Sequence, residues 1–199
     1  KLTSQEEAKI VLLDPAVLGS GKPEPDLRII GMFCDVHEEK VAEVIHAMLY
    51  LNEANRLDPK NARPIEFYLS TYGGSADDMF ALYDIMRTIR EESEIHTLGL
   101  GKVMSAGVLL LAAGTKGNRR IAKNCRVMIH SVAAGNHGNL QDLTNELEAI
   151  SDLQEMYTSC LVAETNMTKS DIKDMLNRNV NVYLSASEAV KLGIADIII

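Results

Sequence analysis

Residues 99–111 read Gly-Leu-Gly-Lys-Val-Met-Ser-Ala-Gly-Val-Leu-Leu-Leu, and residues 95–99 (IHTLG) carry a strand pattern. The spacing predicts a strand that runs into a glycine-rich turn, after which Ser105 opens a short, very apolar helix over 104–113. A strand passing through a short link into a helix is the repeating joint of α/β architecture.

The same joint recurs on either side. Residues 27–33 (LRIIGMF) form a strand candidate, and 37–55 place Val41, Val44, Ile45, Met48, Leu49 and Leu51 at helical spacing. A polar loop over 57–63 leads to a second strand at 65–71 (IEFYLST). Gly73 and Gly74 then precede an amphipathic helix at 76–91. Residues 126–131 (RVMIHS) read as a fourth strand. Helices follow at 140–164, 169–177 and 185–192, and a last strand at 195–199. The alternation predicts an α/β domain over 27–199 whose sheet is covered on its faces. Residues 1–26 are polar and hold Gly19, Gly21, Pro23 and Pro25, which predicts an N-terminal arm and linker. The helix at 140–164 is long for one small domain, so it is expected to contact another subunit.

Composition narrows the functions. The 199 residues suit one domain able to bury its own core. A formal net charge of −8 repels phosphate backbones and argues against nucleic acid as a partner. The longest apolar run, 108–113, is far too short to span a bilayer. Residues 1–9 are charged and hold no signal-peptide core. Cys34, Cys125 and Cys160 are an odd set without metal-like spacing, and are expected to be buried free thiols. These features predict a cytoplasmic protein, or an organelle stroma or matrix protein from which a leader has been removed. No metal or organic cofactor is expected. No P-loop of the G-x-x-x-x-G-K-[ST] type is present, so any ATP would be consumed by a partner.

Three features carry chemistry together. A serine at a helix start has unpaired amide N–H groups beside its oxygen, which suits a developing oxyanion. Taken alone, Ser105 could simply cap a buried helix. Gly73-Gly74 at a strand end can aim amides at a ligand, or merely make a tight turn. His130 ends a strand and can accept a serine proton near neutral pH, or be a satisfied core histidine. His37, His46, His96 and His137 sit in less suggestive surroundings and are expected to be non-catalytic.

Glycines after one strand, serine at a helix start after the next and histidine at a later strand end resemble the proteolytic subunit of the Clp protease family. The matching stretches are STYGGS (70–75), GKVMSAGVLLLAAGTKGNR (101–119), RVMIHS (126–131) and YLSASEAVKLGIAD (183–196). The resemblance implies a crotonase-like (ClpP) fold of repeated strand–helix units with a protruding handle helix, about 136–165. It implies heptameric rings stacked into a tetradecamer, with the sites inside. An AAA+ unfoldase, a Clp ATPase, would feed polypeptide substrates in. The nucleophile falls on Ser105, the base on His130, and the oxyanion-hole amides on Gly74 and Ala106. Residues 133–139, with Gly135, would pair with substrate backbone, and Gly73 would allow substrate to approach.

The chain also departs from the family. Asn181 stands where the triad aspartate is usual. An amide can hold an imidazole in place, but it cannot stabilise imidazolium as a carboxylate does. An Asp→Asn change in a serine triad costs about 10⁴ in rate, roughly 5.5 kcal/mol of barrier. Asn179 and Val180 replace the acidic residue and arginine that usually pair between rings, and Tyr72 replaces a proline. Tyr68 fits the aromatic groove for the unfoldase, whereas Glu66 and Thr88 do not. The resulting expectation is a serine endopeptidase of low intrinsic activity. The alternative is a weak or inactive ClpR-like ring subunit that assembles with a paralogous ClpP subunit. A crotonase-type acyl-CoA enzyme would share the fold but needs no Ser-His pair.

Overall fold

The computed structural model describes residues 27–133, 135, 137–177 and 180–199. The expected arm at 1–26, and Asn179, lie outside the described residues. Seven strands and six α-helices follow one another along the described chain, mostly in alternation, with β4–β5 and α4–α5 as consecutive pairs and a 3-10 turn at Pro59–Asn61. Strand β1 (Ile29–Met32) leads to α1 (Glu38–Leu57), which turns Val41, Val44, Met48 and Leu51 inward at helical spacing. Strand β2 (Ile65–Thr71) buries Ile65, Phe67, Leu69 and Thr71, while Glu66, Tyr68 and Ser70 face a half-covered side. This period of two means that burial at β2 is complete on one face only, short of the cover expected on both. Helix α2 (Ala76–Ile89) starts where Ser75 Oγ accepts a hydrogen bond from Asp78 N at 3.2 Å.

Strand β3 (Ile95–Met104) corrects the predicted turn at 99–101, because the strand continues through both glycines. Gly101 adopts φ 63°, and the pairing with β2 shifts between Leu69 and Thr71. The chain therefore bends without leaving the sheet, as glycine permits. The bend is productive because residues 102–104 find a new neighbour, β5 (Arg126–Ile129). The first half of β3 instead pairs with β4 (Arg120–Ile121).

The sheet runs β1-β2-β3-β4-β7, where β7 is Ile197–Ile198, and its neighbours on this path are parallel. Strand β6 (Val182–Leu184) pairs antiparallel with β5. Strands β4 and β6 are two and three residues long, too short to show an alternation, and the pattern did not predict them. Helix α3 (Ala106–Ala112) is buried along its whole length, which explains why it is apolar on every side. Full burial of Leu109, Leu110 and Leu111 stabilises the fold by about 1.5–3 kcal/mol each.

Helix α4 (Leu140–Glu164) buries only Tyr157, Thr158, Leu161 and Glu164, all near its C-terminus. Its first turns leave the body and expose Leu140, Leu143 and Leu147. The buried end is locked by charge. Glu164 is 1% exposed and accepts hydrogen bonds from Tyr83 Oη, Arg87 and Arg90 at 2.9–3.0 Å. Helices α5 (Lys169–Leu176) and α6 (Ala186–Lys191) both begin with capping boxes, at Thr168/Asp171 and Ser185/Glu188. Of the three free thiols only Cys125 is buried, and Cys34 and Cys160 are half-exposed, which corrects the expectation for those two. Burial pushes the Cys125 thiol up to about 11. No helix among the described residues is long and apolar enough to cross a membrane.

Candidate active site

Ser105 sits between β3 and α3 with φ 54° and ψ −122°. It is the one described non-glycine residue at positive φ. Such a backbone costs on the order of 1–3 kcal/mol and persists only where its surroundings impose it. Here three hydrogen bonds impose it. Ser105 N donates to Met128 O at 2.8 Å, one step beyond the β3–β5 pairing. Its carbonyl accepts from Val108 N at 2.9 Å and from Tyr157 Oη at 3.1 Å. The strand end, the helix start and α4 thus all grip one residue.

The Gly73-Gly74 pair lies against it. Gly73 has φ 102°, and a Cβ there would stand 2.6 Å from Ser105 Cβ. Its amide is used locally, donating to Thr71 Oγ1 at 3.0 Å. Gly74 has φ 150° and bridges Val36, so that a Cβ would stand 2.1 Å from Val36 O. The bridge uses Gly73 O and Ser75 N, which leaves Gly74 N–H outside it. Among the described residues no hydrogen bond takes up Gly74 N–H or Ala106 N–H. Tyr72, in the place of the family's proline, is exposed and lies beneath Lys102 Nζ at 4.4 Å without disturbing the glycines.

One cleft of about 360 Å³ gathers these groups. Ser105, His130, Gly74 and Ala106 all line it. Met79 and Phe80 of α2 and Ala149, Ile150, Leu153 and Tyr157 of α4 supply its apolar walls. The sequence reading passed over these α2 and α4 residues. The available signal was the run 146, 149, 150, 153 and 157, which shares one face of a helix.

Gly73 packs behind Ser105 and does not line the cleft. Ala133 does line it, and Gly135 has open space around its Cα. Ala134 and Asn136, within the segment read as pairing with substrate, lie outside the described residues. Asn181 does not line the cleft either, and it is exposed. Its position in the sheet is nevertheless informative. Strand β6 pairs Val182 with Ile129, the last pair of the ladder, and one further step of the same antiparallel register would face Asn181 with His130. No hydrogen bond among the described residues joins the side chains of Ser105, His130 and Asn181.

The other histidines are engaged elsewhere or exposed. His37 stands at the start of α1, and His46 and His137 are exposed. His96 meets Glu94 at 2.8 Å and Glu66 at 3.3 Å. Among the described residues no group of three His, Cys, Asp or Glu side chains could hold a metal ion.

The family model for Clp protease matches residues 25–199. The chain belongs to the Clp protease family. It is 33% identical over 172 residues to ATP-dependent Clp protease proteolytic subunit 1 of Prochlorococcus marinus, covering 86% of this chain and 84% of that protein. It is 31% identical over 170 residues to proteolytic subunit 1 of Corynebacterium glutamicum, covering 85% of this chain and 77% of that protein. Proteolytic subunit 2 of Corynebacterium jeikeium is similar to the same degree. The α/β fold is therefore the crotonase-like one of Clp proteases, and the family match sets the acyl-CoA reading aside.

Proposed function

We propose that the chain is a Clp-type serine endopeptidase subunit of low intrinsic activity. The carrying observation is the single cleft lined by Ser105, His130, Gly74 and Ala106. Ser105 Oγ attacks the scissile carbonyl while His130 takes its proton. The Gly74 and Ala106 amides stabilise the oxyanion. The imidazolium then protonates the leaving amine, and water hydrolyses the acyl-enzyme by the same route. The strained backbone at Ser105 supports this assignment, since strain of this kind clusters at functional sites. Low activity follows from Asn181, which offers His130 no charge.

The chain works in heptameric rings that pair into a tetradecamer. The exposed stripe Leu140, Leu143 and Leu147, on the part of α4 that leaves the body, supports that assembly. An AAA+ Clp ATPase supplies unfolded polypeptide. A second reading, a weak ring subunit working beside a more active paralogous subunit, is favoured by the absence of Asn181 from the cleft.

A fluorophosphonate probe tests the first reading against the second. Label on Ser105 that disappears in Ser105→Ala and falls in His130→Ala supports the peptidase. No label in any assembly state supports the ring subunit. Native mass measurement should find the tetradecamer, and a stable monomer would reject the chambered arrangement.

A further inference from the structure

We propose that the cleft beside Ser105 selects a substrate side chain with an apolar stem and a cationic head, lysine or arginine, through Glu146 and Asp77. The inference rests on the peptidase reading and names the substrate class of that same site.

The two helices that wall the cleft each contribute one carboxylate, Asp77 from α2 and Glu146 from α4. Among the described residues no lysine or arginine lines the cleft, and apart from the two carboxylates its charge-bearing side chain is His130. Glu146 is half-buried, whereas its neighbours Asn145, Leu147 and Glu148 are exposed. Its side chain is thus turned inward on a stretch of helix that otherwise faces solvent. Neither Glu146 nor Asp77 forms an ion pair or side-chain hydrogen bond with a described residue. Among the described residues, therefore, nothing competes with a ligand for either carboxylate.

The rest of the lining decides what kind of ligand. Met79, Phe80, Ile150 and Leu153 present carbon surface. A long side chain can lie along that surface while its charged end reaches the carboxylates. An apolar side chain of the same length would gain the same wall contacts but would bury part of two carboxylates without a partner. The difference favours the cation, and the chain's net charge of −8 steers basic segments toward it.

Peptidyl diphenyl phosphonates test this directly, because Ser105 Oγ displaces phenoxide in a single turnover and slow catalysis does not obscure the result. Two probes differ only in lysine against norleucine, which keeps the four-carbon stem and lacks the ammonium head. With the intact wild-type chain at low salt, Ser105 should react about fivefold faster with the lysine probe, the scale of a partly screened ion pair. The ratio should fall in Glu146→Gln, approach one in Glu146→Gln/Asp77→Asn, and shrink at about 0.5 M salt. Labelling of Ser105 with norleucine equal to or faster than lysine overturns this inference and leaves the nucleophile standing. A lysine preference that survives in the double variant also overturns it. No labelling of Ser105 by either probe overturns the nucleophile assignment and this inference with it.

Discussion

The phenol of Tyr157 donates a hydrogen bond to the carbonyl oxygen of Ser105 at 3.1 Å, tying α4 to the turn that carries the proposed nucleophile. Tyr157 is almost fully buried, and burial holds its phenol protonated well above the usual range. The bond therefore persists across the working pH. Tyr157→Phe keeps the ring and removes the donor, while Val108 N still serves the carbonyl. The expected loss is about 0.5–1.5 kcal/mol of stability in a denaturant titration. Labelling of Ser105 should slow by up to about tenfold, since the turn loses one of its three restraints. A normal labelling rate in a destabilised variant would limit Tyr157 to packing.

Asn181 directly precedes β6, and the β5–β6 register continued one step past Ile129 and Val182 would face it with His130. Asn181→Asp is expected to raise peptidase turnover at least about tenfold, a fraction of the 10⁴ that a triad aspartate is worth. The new carboxylate would orient the imidazole and stabilise its protonated form. Turnover of a fluorogenic peptide measures the effect, and an unchanged rate would mean that another group orients His130.

Gly73 has no space for a side chain, since a Cβ would come within 2.6 Å of Ser105 Cβ and 2.9 Å of Met104 O. Its φ of 102° also disfavours any L-residue. Gly73→Ala should displace Ser105 and remove most of its labelling by fluorophosphonate. The unfolding midpoint should drop by an amount equivalent to about 1–3 kcal/mol. Wild-type labelling in this variant would show that the close packing of Gly73 and Ser105 is not needed for reactivity.

Glu164 predicts the acid response. Burial by itself would raise its pKa, but hydrogen bonds from Arg90 and Arg87 outweigh that and hold it below the ordinary value of 4.5. Its folded pKa is thus depressed, and its stabilising contribution is complete above about pH 4.5 and lost as pH falls through the folded value. Asp196, held down by Arg119 against its own burial, acts in the same direction. Wild-type stability should decline steeply below pH 4.5, whereas Glu164→Gln should show a shallower decline. At neutral pH that variant should lose about 3 kcal/mol, because Arg90 is left largely buried without its charge partner. Urea midpoints recorded across this range decide the matter.

The alternation of helix and strand, the bounds of α4 and the order of Ser105, His130 and the glycine pair were legible in the chain. Each depends on local periodicity or on a short motif. The expected turn at 99–101 was not borne out, because glycine there allows a bend within the strand, and only the arrival of β5 decides that pairing continues. Strands β4 and β6 have too few residues to show a period and exist through their partners. The walls and carboxylates of the cleft come from α2 and α4, far apart in sequence, so no local pattern could place Asp77 and Glu146 on one cleft.

What the sequence determined by itself is therefore the set of elements and the residue types capable of the chemistry. Backbone preference and side-chain spacing are encoded over a few neighbouring residues. What only the tertiary structure decided is which groups share the cleft. That depends on long-range packing, which draws Tyr157 onto the Ser105 carbonyl, leaves the Gly74 and Ala106 amides without partners among the described residues and keeps Asn181, just before β6, outside the cleft.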